Sequence, residues 1–245
     1  MSAQLLEVTD LGKRFGGFVA LDGIDLVVAR GERVGLIGPN GSGKSTLVNC
    51  ICGTLKNDSG SVRFNGESID RFKTHERTRR GIARSFQLPR PFASLTVAEN
   101  LLVPMLYAID GHSRPGTEGA ELAARAAELL QLVGLADKAR LKPRDLTQVD
   151  MRKLELARAM AAAPQLLIAD EAMAGLSQAE VAEIVALLIR LNEGGVTIIM
   201  IEHIMRAVMQ FSQRLVVLVS GNKIADGTPA EVVRNAEVER AYLGQ

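Results

Sequence analysis

The stretch Gly38-Pro39-Asn40-Gly41-Ser42-Gly43-Lys44-Ser45-Thr46 meets the pattern G-x-x-x-x-G-K-[ST] at every fixed position. An apolar run at 33–37 with strand character precedes it, and a helix is expected from about Lys44 to just before Gly53. Between strand and helix, the glycines let backbone N–H groups converge on phosphate oxygens with no Cβ in the way. Lys44 can set its ammonium between the β- and γ-phosphates of a nucleotide, and Ser45 can offer its hydroxyl to Mg²⁺. The positive end of the following helix adds to the anion site. These nine residues decide the fold: a phosphate cradle of this kind sits at the end of a strand in an α/β protein.

Working outward, the rhythm of the chain agrees. Residues 166–169, 197–201 and 215–219 are apolar strands, and 178–192 is a helix with Val181, Ile184, Val185, Leu188 and Leu191 on one side. Strand–helix–strand alternation implies a parallel sheet. Before the cradle, 5–8, 18–21 and 24–28 are short β-rich pieces separated by Gly-containing turns, an antiparallel edge sheet; 61–64 is a further strand before an Asn65-Gly66 turn. From Ser94 the pattern turns helical. Thr96-Val97-Ala98-Glu99 is a capping box, Leu122, Ala126, Leu129, Leu130 and Val133 form one apolar stripe, and Gly134 is placed as its C-cap. Residues 110–119, rich in Gly, Pro and Ser, read as a loop, and 151–163 as a helix ended by Pro164. The expected organisation is an α/β nucleotide-binding core over 1–93 and 165–245, with an antiparallel β subdomain and a helical subdomain inserted at 94–164. The basic segment 71–90 is read mainly as a solvated helix face.

Composition narrows the class. The 245 residues are about 1.6 typical domain lengths. Lys plus Arg number 29 and Asp plus Glu 28, a net charge of +1, which removes the electrostatic case for a nucleic-acid partner. Hydrophobic residues make up 47% and charged residues 23%, as in a folded rather than a disordered chain. Cys50 and Cys52 cannot build a disulfide framework, and their Cys-x-Cys spacing lacks the second pair of a structural zinc site; they read as small, half-buried apolar side chains of one helix. No run reaches the ~20 apolar residues of a transmembrane helix, and no basic-then-apolar leader is visible from Met1, so the expected location is cytoplasmic.

A phosphate cradle needs a carboxylate for the metal. Leu166-Leu167-Ile168-Ala169-Asp170-Glu171 is an apolar strand ending in two acids. Asp170 can hold Mg²⁺ through water, and Glu171, one residue on, can polarise an attacking water. Together with the cradle these positions resemble the ATP-binding cassette (ABC) ATPases over essentially the whole chain. The resemblance implies that Phe15, in Arg14-Phe15-Gly16-Gly17, stacks on adenine. It implies that Gln87, in Ser85-Phe86-Gln87, touches the metal and water and links them to the helical subdomain. Ala174-Gly175-Leu176-Ser177 stands where the family's D-loop falls, and His203, in Ile201-Glu202-His203, looks like the histidine that contacts the γ-phosphate. Arg84-Ser85-Phe86-Gln87, then Leu95-Thr96-Val97-Ala98-Glu99-Asn100-Leu101-Leu102, and the ending Arg240-Ala241-Tyr242-Leu243-Gly244 resemble the ATP-binding subunits of branched-chain amino acid importers, a branch that also serves other small polar solutes.

The chain departs from its family at one motif. Where the family has Leu-Ser-Gly-Gly-Gln before a helix, this chain has Leu146-Thr147-Gln148-Val149-Asp150. In the family two subunits dimerise head to tail, and each signature covers the γ-phosphate on its partner's P-loop. Val149 is expected to crowd that approach and Asp150 to set a negative charge beside a polyanion. Asp-Glu-Pro has become Asp170-Glu171-Ala172, and His-Asp has become His203-Ile204, without loss of a primary catalytic group. The resemblance therefore implies an ATPase with ATP and Mg²⁺, membrane permease partners, and a peripheral place on the inner face of the membrane. The altered signature favours a heterodimer with another ATPase subunit over a homodimer. A non-transport ABC ATPase and a regulatory subunit with little turnover stay open as alternatives.

Overall fold

The computed structural model describes residues 4–86, 88–108 and 118–243. The loop expected at 110–119 lies mostly outside these, and so do Gln87 and Gly244. The chain runs β1 (Gln4–Phe15), β2 (Phe18–Ala29), β3 (Arg33–Ile37), α1 (Lys44–Cys52), β4 (Ser59–Phe64), β5 (Glu67–Ser68), α2 (Thr74–Arg79) and β6 (Ile82–Ser85). Three helices follow, α3 (Val97–Ala108), α4 (Glu118–Val133) and α5 (Gln148–Ala161). The chain then returns to alternation with β7 (Leu166–Asp170), α6 (Gln178–Glu193), β8 (Thr197–Ile201), α7 (Met205–Phe211), β9 (Arg214–Val219), β10 (Asn222–Gly227), α8 (Pro229–Val233) and α9 (Ala236–Leu243).

β1, β2, β4 and β5 make an antiparallel sheet in the order β2-β1-β4-β5. The second sheet has the order β10-β9-β3-β8-β7-β6 and is parallel except for the β9–β10 hairpin. Its inner strands are apolar on both faces because both faces are covered. Leu166 and Ile168 of β7 join the cluster that includes α1 and the antiparallel sheet, whereas Leu167 and Ala169 join the cluster of α3, α4, α5 and α6. Each fully buried aliphatic side chain here is worth about 1.5–3 kcal/mol, so neither face of β7 has room for a charge before the strand ends at Asp170.

Several sequence expectations change. The three short pieces upstream are two strands of 12 residues each, β1 and β2, with bulges absorbing the Gly-containing positions. The basic segment 71–90 is not one solvated face. Arg77 is buried at 3% exposure, and 82–85 is β6, paired in parallel with β7. The helix expected at 151–163 begins three residues earlier, at Gln148, because Thr147 and Asp150 cap it reciprocally. Cys50 and Cys52 are fully rather than half buried. Other local readings hold: α1 ends at Gly53 in the left-handed conformation (φ 75°), and the Thr96–Glu99 box is formed.

Candidate nucleotide site

The parallel register brings the carboxyl ends of β3, β7 and β8 side by side: Leu36 lies opposite Ile201, and Ile201 opposite Asp170. The residues just beyond each strand, the 38–46 turn, Asp170-Glu171 and Glu202-His203, therefore gather along one edge of the sheet. That edge is where open α/β sheets bind ligands.

The turn from Gly38 to Lys44 is closed by Ser42 N–H donating to the Pro39 carbonyl at 3.2 Å and Gly221 N–H donating to the Ser42 carbonyl at 3.1 Å. Glycine is required at both ends of the turn. A Cβ on Gly38 would collide with the Leu218 carbonyl. One on Gly43 would stand 2.6 Å from the Ala20 carbonyl, at a backbone φ of 103° that only glycine adopts freely. Gly43, the N-cap of α1, makes no side-chain cap hydrogen bond, and the N–H groups at such a helix start suit an anion. Lys44 Nζ donates to the Gly38 and Pro39 carbonyls at 2.7 and 2.9 Å, which holds the ammonium over the turn. Burial lowers its pKa from the usual lysine range, while Glu171 and Asp170 oppose that shift. Ser45 and Thr46 lie in the first turn of α1, and Ser45 lines one cleft of about 570 Å³ with Asp170 and Glu171. That volume lies within the range of small-ligand sites.

Asp170 is 8% exposed, and its Oδ2 accepts from Arg84 Nη2 at 2.5 Å and Nε at 3.2 Å. Arg84 also donates to Asn49 Oδ1 at 2.6 Å, bridging α1 and β7. Sequence reasoning missed Arg84, because its partner lies 86 positions away. Glu171 sits in the left-handed region (φ 46°), a strained backbone held by its N–H donating to the Ile201 carbonyl at 2.9 Å. His203 is 69% exposed at the end of β8, with Nδ1 at 3.9 Å from Glu202 Oε2. Glu202 itself is buried and accepts the Met173 N–H at 2.9 Å; burial pushes its pKa up. Phe15 lies at the tip of the β1–β2 hairpin, paired with Phe18 and half exposed, and the Ala20 carbonyl of the same hairpin packs on Gly43.

Mg²⁺ fits this donor set. Among the described residues no group of three or more His, Cys, Asp or Glu side chains is placed to hold a metal ion. Hard oxygens from Ser45 and Asp170 suit an ion that takes its remaining ligands from phosphate and water.

The stretch expected to stand at the signature position opens α5, with Thr147 as N-cap. Here the sequence expectation needs correction. Asp150 does not present its charge outward: it is buried, Oδ2 accepts from Lys138 Nζ and Thr147 Oγ1 at 2.7 Å each, and it caps its own helix. Val149 packs against the helical core. Thr147 and Gln148 are exposed, and Gln148 Nε2 would come within 2.7 Å of a Cβ on Gly175.

Known proteins place this geometry. The ABC transporter family profile matches residues 21–174, more than half of the chain, and the profile of branched-chain amino acid ATP-binding cassette transporters matches 222–245. The chain is 38% identical, over 100% of both chains, to the high-affinity branched-chain amino acid transport ATP-binding protein BraF of Pseudomonas aeruginosa. It is 37% identical, again over 100% of both, to LivG of Escherichia coli K12. The ADP conformation of MJ1267, an ATP-binding cassette of an ABC transporter, superimposes with a TM-score of 0.89 at 32% identity, covering 100% of each chain. No helix among the described residues is long and apolar enough to cross a membrane. The chain belongs to the ABC transporter family of ATP-binding cassette ATPases, in the branch of the branched-chain amino acid transport ATP-binding proteins.

Proposed function

We propose that this chain hydrolyses ATP as the motor subunit of an importer for branched-chain amino acids or related small polar solutes, paired with a second, different ATPase subunit. The observation that carries the reading is the single sheet edge holding Lys44, Asp170, Glu171 and His203. Glu171 orients water in line with the γ-phosphate, and Lys44 and His203 stabilise the charge that develops on the transferred group. Phe15 receives the adenine, residues 38–46 the phosphates, and Gln87 links the site to a helical subdomain at 94–164. Ser45 and, through water, Asp170 would hold Mg²⁺, which supplies positive charge to the phosphate oxygens. Permease subunits hold the chain on the inner face of the membrane.

What supports the heterodimer is the start of α5. Glycines at a signature let a helix end approach a phosphate closely. Here Gln148 occupies that end, in the space a Cβ on Gly175 would need, while Asp150 is committed to Lys138 and Thr147. This chain's P-loop then works with an intact signature from the other subunit, and the opposite site turns over slowly. Co-expression with the products of neighbouring genes tests the assembly. Recovery of a complex with permease and a second ATPase is expected; a self-sufficient homodimer with full turnover refutes the pairing. In the assembled complex, replacing residues 148–150 by Gly-Gly-Gln is expected to raise turnover at the site that uses the partner's P-loop. Unchanged turnover counts against an impaired signature.

A further inference from the structure

A base can stack on Phe15 only if the ring is held in one place, yet Phe15 stands at the tip of a hairpin. β1 and β2 turn through Gly16 and Gly17, with Phe15 paired to Phe18. The ladder between β1 and β4 ends at Gly12 opposite Ser59, and among the described residues β1 runs on from there paired with β2 alone. A two-stranded hairpin in water is marginal by itself. The returning arm is fixed at the cradle, where the Ala20 carbonyl packs on Gly43 and the Asp22 N–H donates to the Gly221 carbonyl at 2.9 Å.

The outgoing arm has its own anchor in Asp58, the residue just before β4. The Asp58 N–H donates to the Gly12 carbonyl at 2.9 Å, which carries the ladder one step further. Its side chain then stands where another strand residue would: Oδ2 accepts the Arg14 N–H at 2.7 Å, and Oδ1 accepts from Lys13 Nζ at 2.8 Å. The two strands come close here, since a Cβ on Gly12 would lie 2.3 Å from Ser59 Oγ. The bonds from Lys13 and then Arg14 lower the Asp58 pKa, so the carboxylate stays charged. Lys13 and Phe15, two positions apart on one strand, share a face. The Lys13 ammonium lies 5.6 Å from the centre of the Phe15 ring, within cation–π range. The Lys13 side chain is only 12% exposed, so packing along its stem as well as Asp58 fixes the ammonium. One face of the ring is thereby occupied, and the half-exposed Phe15 has the other to offer. An ion pair whose acid is 47% exposed adds little to stability. What bonds to three successive residues, Gly12, Lys13 and Arg14, do set is position.

We propose that Asp58 and Lys13 are positioning residues for the nucleotide base: Asp58 anchors the outgoing arm of the hairpin to the α1–β4 connection, and Lys13 holds the Phe15 ring from one side so that its other face meets the base. The consequence for the base rests on Phe15 receiving the adenine; the anchoring of the hairpin does not. Both arms then refer the ring to the cradle, one through Gly43 and the other through the connection that leaves the far end of α1.

Calorimetric titration of the isolated full-length chain with Mg-ATP and with inorganic tripolyphosphate, which has no base, tests the effect on binding. Phe15→Ala is expected to weaken ATP about ten-fold or more, the scale of one lost base stack. Asp58→Ala is expected to weaken ATP about five-fold and Lys13→Met about two- to five-fold, with tripolyphosphate within about two-fold of the parent in both. In the Phe15→Ala background Asp58→Ala should weaken ATP no further, because no ring remains to be placed. The Tm of Asp58→Ala should lie within about 3 °C of the parent. Asp58→Asn, which keeps an acceptor for the Arg14 N–H, should fall between, and serves if the alanine variant folds poorly. Hydrogen exchange reads the anchor without nucleotide: in Asp58→Ala the Arg14 amide should exchange about ten-fold faster, with β3 unchanged. Parent-like exchange at Arg14, or parent-like ATP affinity in Asp58→Ala when Phe15→Ala has lost it, overturns the proposal. Equal losses for ATP and tripolyphosphate, or an undiminished loss in the Phe15→Ala background, overturn it in favour of a merely structural ion pair. If exchange rises at Arg14 but Phe15→Ala binds ATP like the parent, the anchor stands and the reading of Phe15 as the base platform fails.

Discussion

Replacing Arg77 by methionine is expected to weaken the whole nucleotide core. Arg77 is 3% exposed, and its guanidinium donates to the Cys50 and Ile51 carbonyls at 2.7 and 2.9 Å and to the Phe72 carbonyl at 3.0 Å. Cys50 and Ile51 form the last turn of α1, so Arg77 both satisfies two terminal carbonyls and sets a positive charge at the negative end of the helix. Methionine fills most of the volume but donates nothing. The Ile51 and Phe72 carbonyls, left without their donor, cost about 1–3 kcal/mol each, while the Cys50 carbonyl keeps the Gly53 N–H at 3.3 Å; the lost charge adds about 0.3–1 kcal/mol. Relaxation recovers part of this, so a net loss of about 3–5 kcal/mol is expected. For a chain of this size, about 2–4 °C per kcal/mol gives a fall in Tm of roughly 6–20 °C. Differential scanning fluorimetry reads it directly. Because the same helix begins at Lys44, ATP should recover less of the Tm than in the parent. Arg77→Lys keeps the charge but cannot reach all three carbonyls, and should fall between. A methionine variant melting within 2 °C of the parent refutes the assignment of Arg77 as the cap of α1.

Other outcomes follow from single groups. Burial alone would raise the Asp150 pKa, but hydrogen bonds from Lys138 and Thr147 prevail and hold it below the usual carboxylate value. Its stabilisation, about 2 kcal/mol for a buried charge-assisted pair, is present above a pH of about 4 and is lost as pH falls through the depressed folded value. Urea unfolding of Asp150→Asn and the parent should therefore differ at pH 6 and converge near pH 3; a gap independent of pH contradicts this. Burial pushes the thiols of Cys50 and Cys52 up to about 11 each. At pH 8 about one thiol in a thousand is ionised, so maleimide labelling of the native chain should be negligible and become complete in denaturant. Rapid native labelling would contradict the packing around α1.

The sequence made the candidate nucleotide edge legible because the signals there are local. The cradle is one contiguous motif, and residues 166–169 and 198–201 are unbroken apolar runs whose next polar residues, Asp170 and Glu202, mark the strand ends. What escaped notice was paired over long distances. The stretch 82–85 contains an arginine and a serine and does not read as a buried strand, yet Arg84 is neutralised by Asp170 once β6 lies in register with β7. Arg77 reads as a solvated charge until the end of α1 meets it. Asp150 is expected to face outward and instead turns inward, since an acid at the third helical position turns back to its own cap when Thr147 and Lys138 are there to receive it. The contact of Arg158 with the Arg90 carbonyl joins positions 68 residues apart.

The most direct test of the account is ATP turnover by the assembled transporter with Glu171→Gln in this chain alone. The side chain keeps its size and its place after β7 but can no longer polarise water. Hydrolysis at the site built on this chain's P-loop should fall by about 10² or more, with ATP binding retained. Equal turnover in the Gln variant and the parent would contradict the assignment of this chain as the hydrolysing subunit.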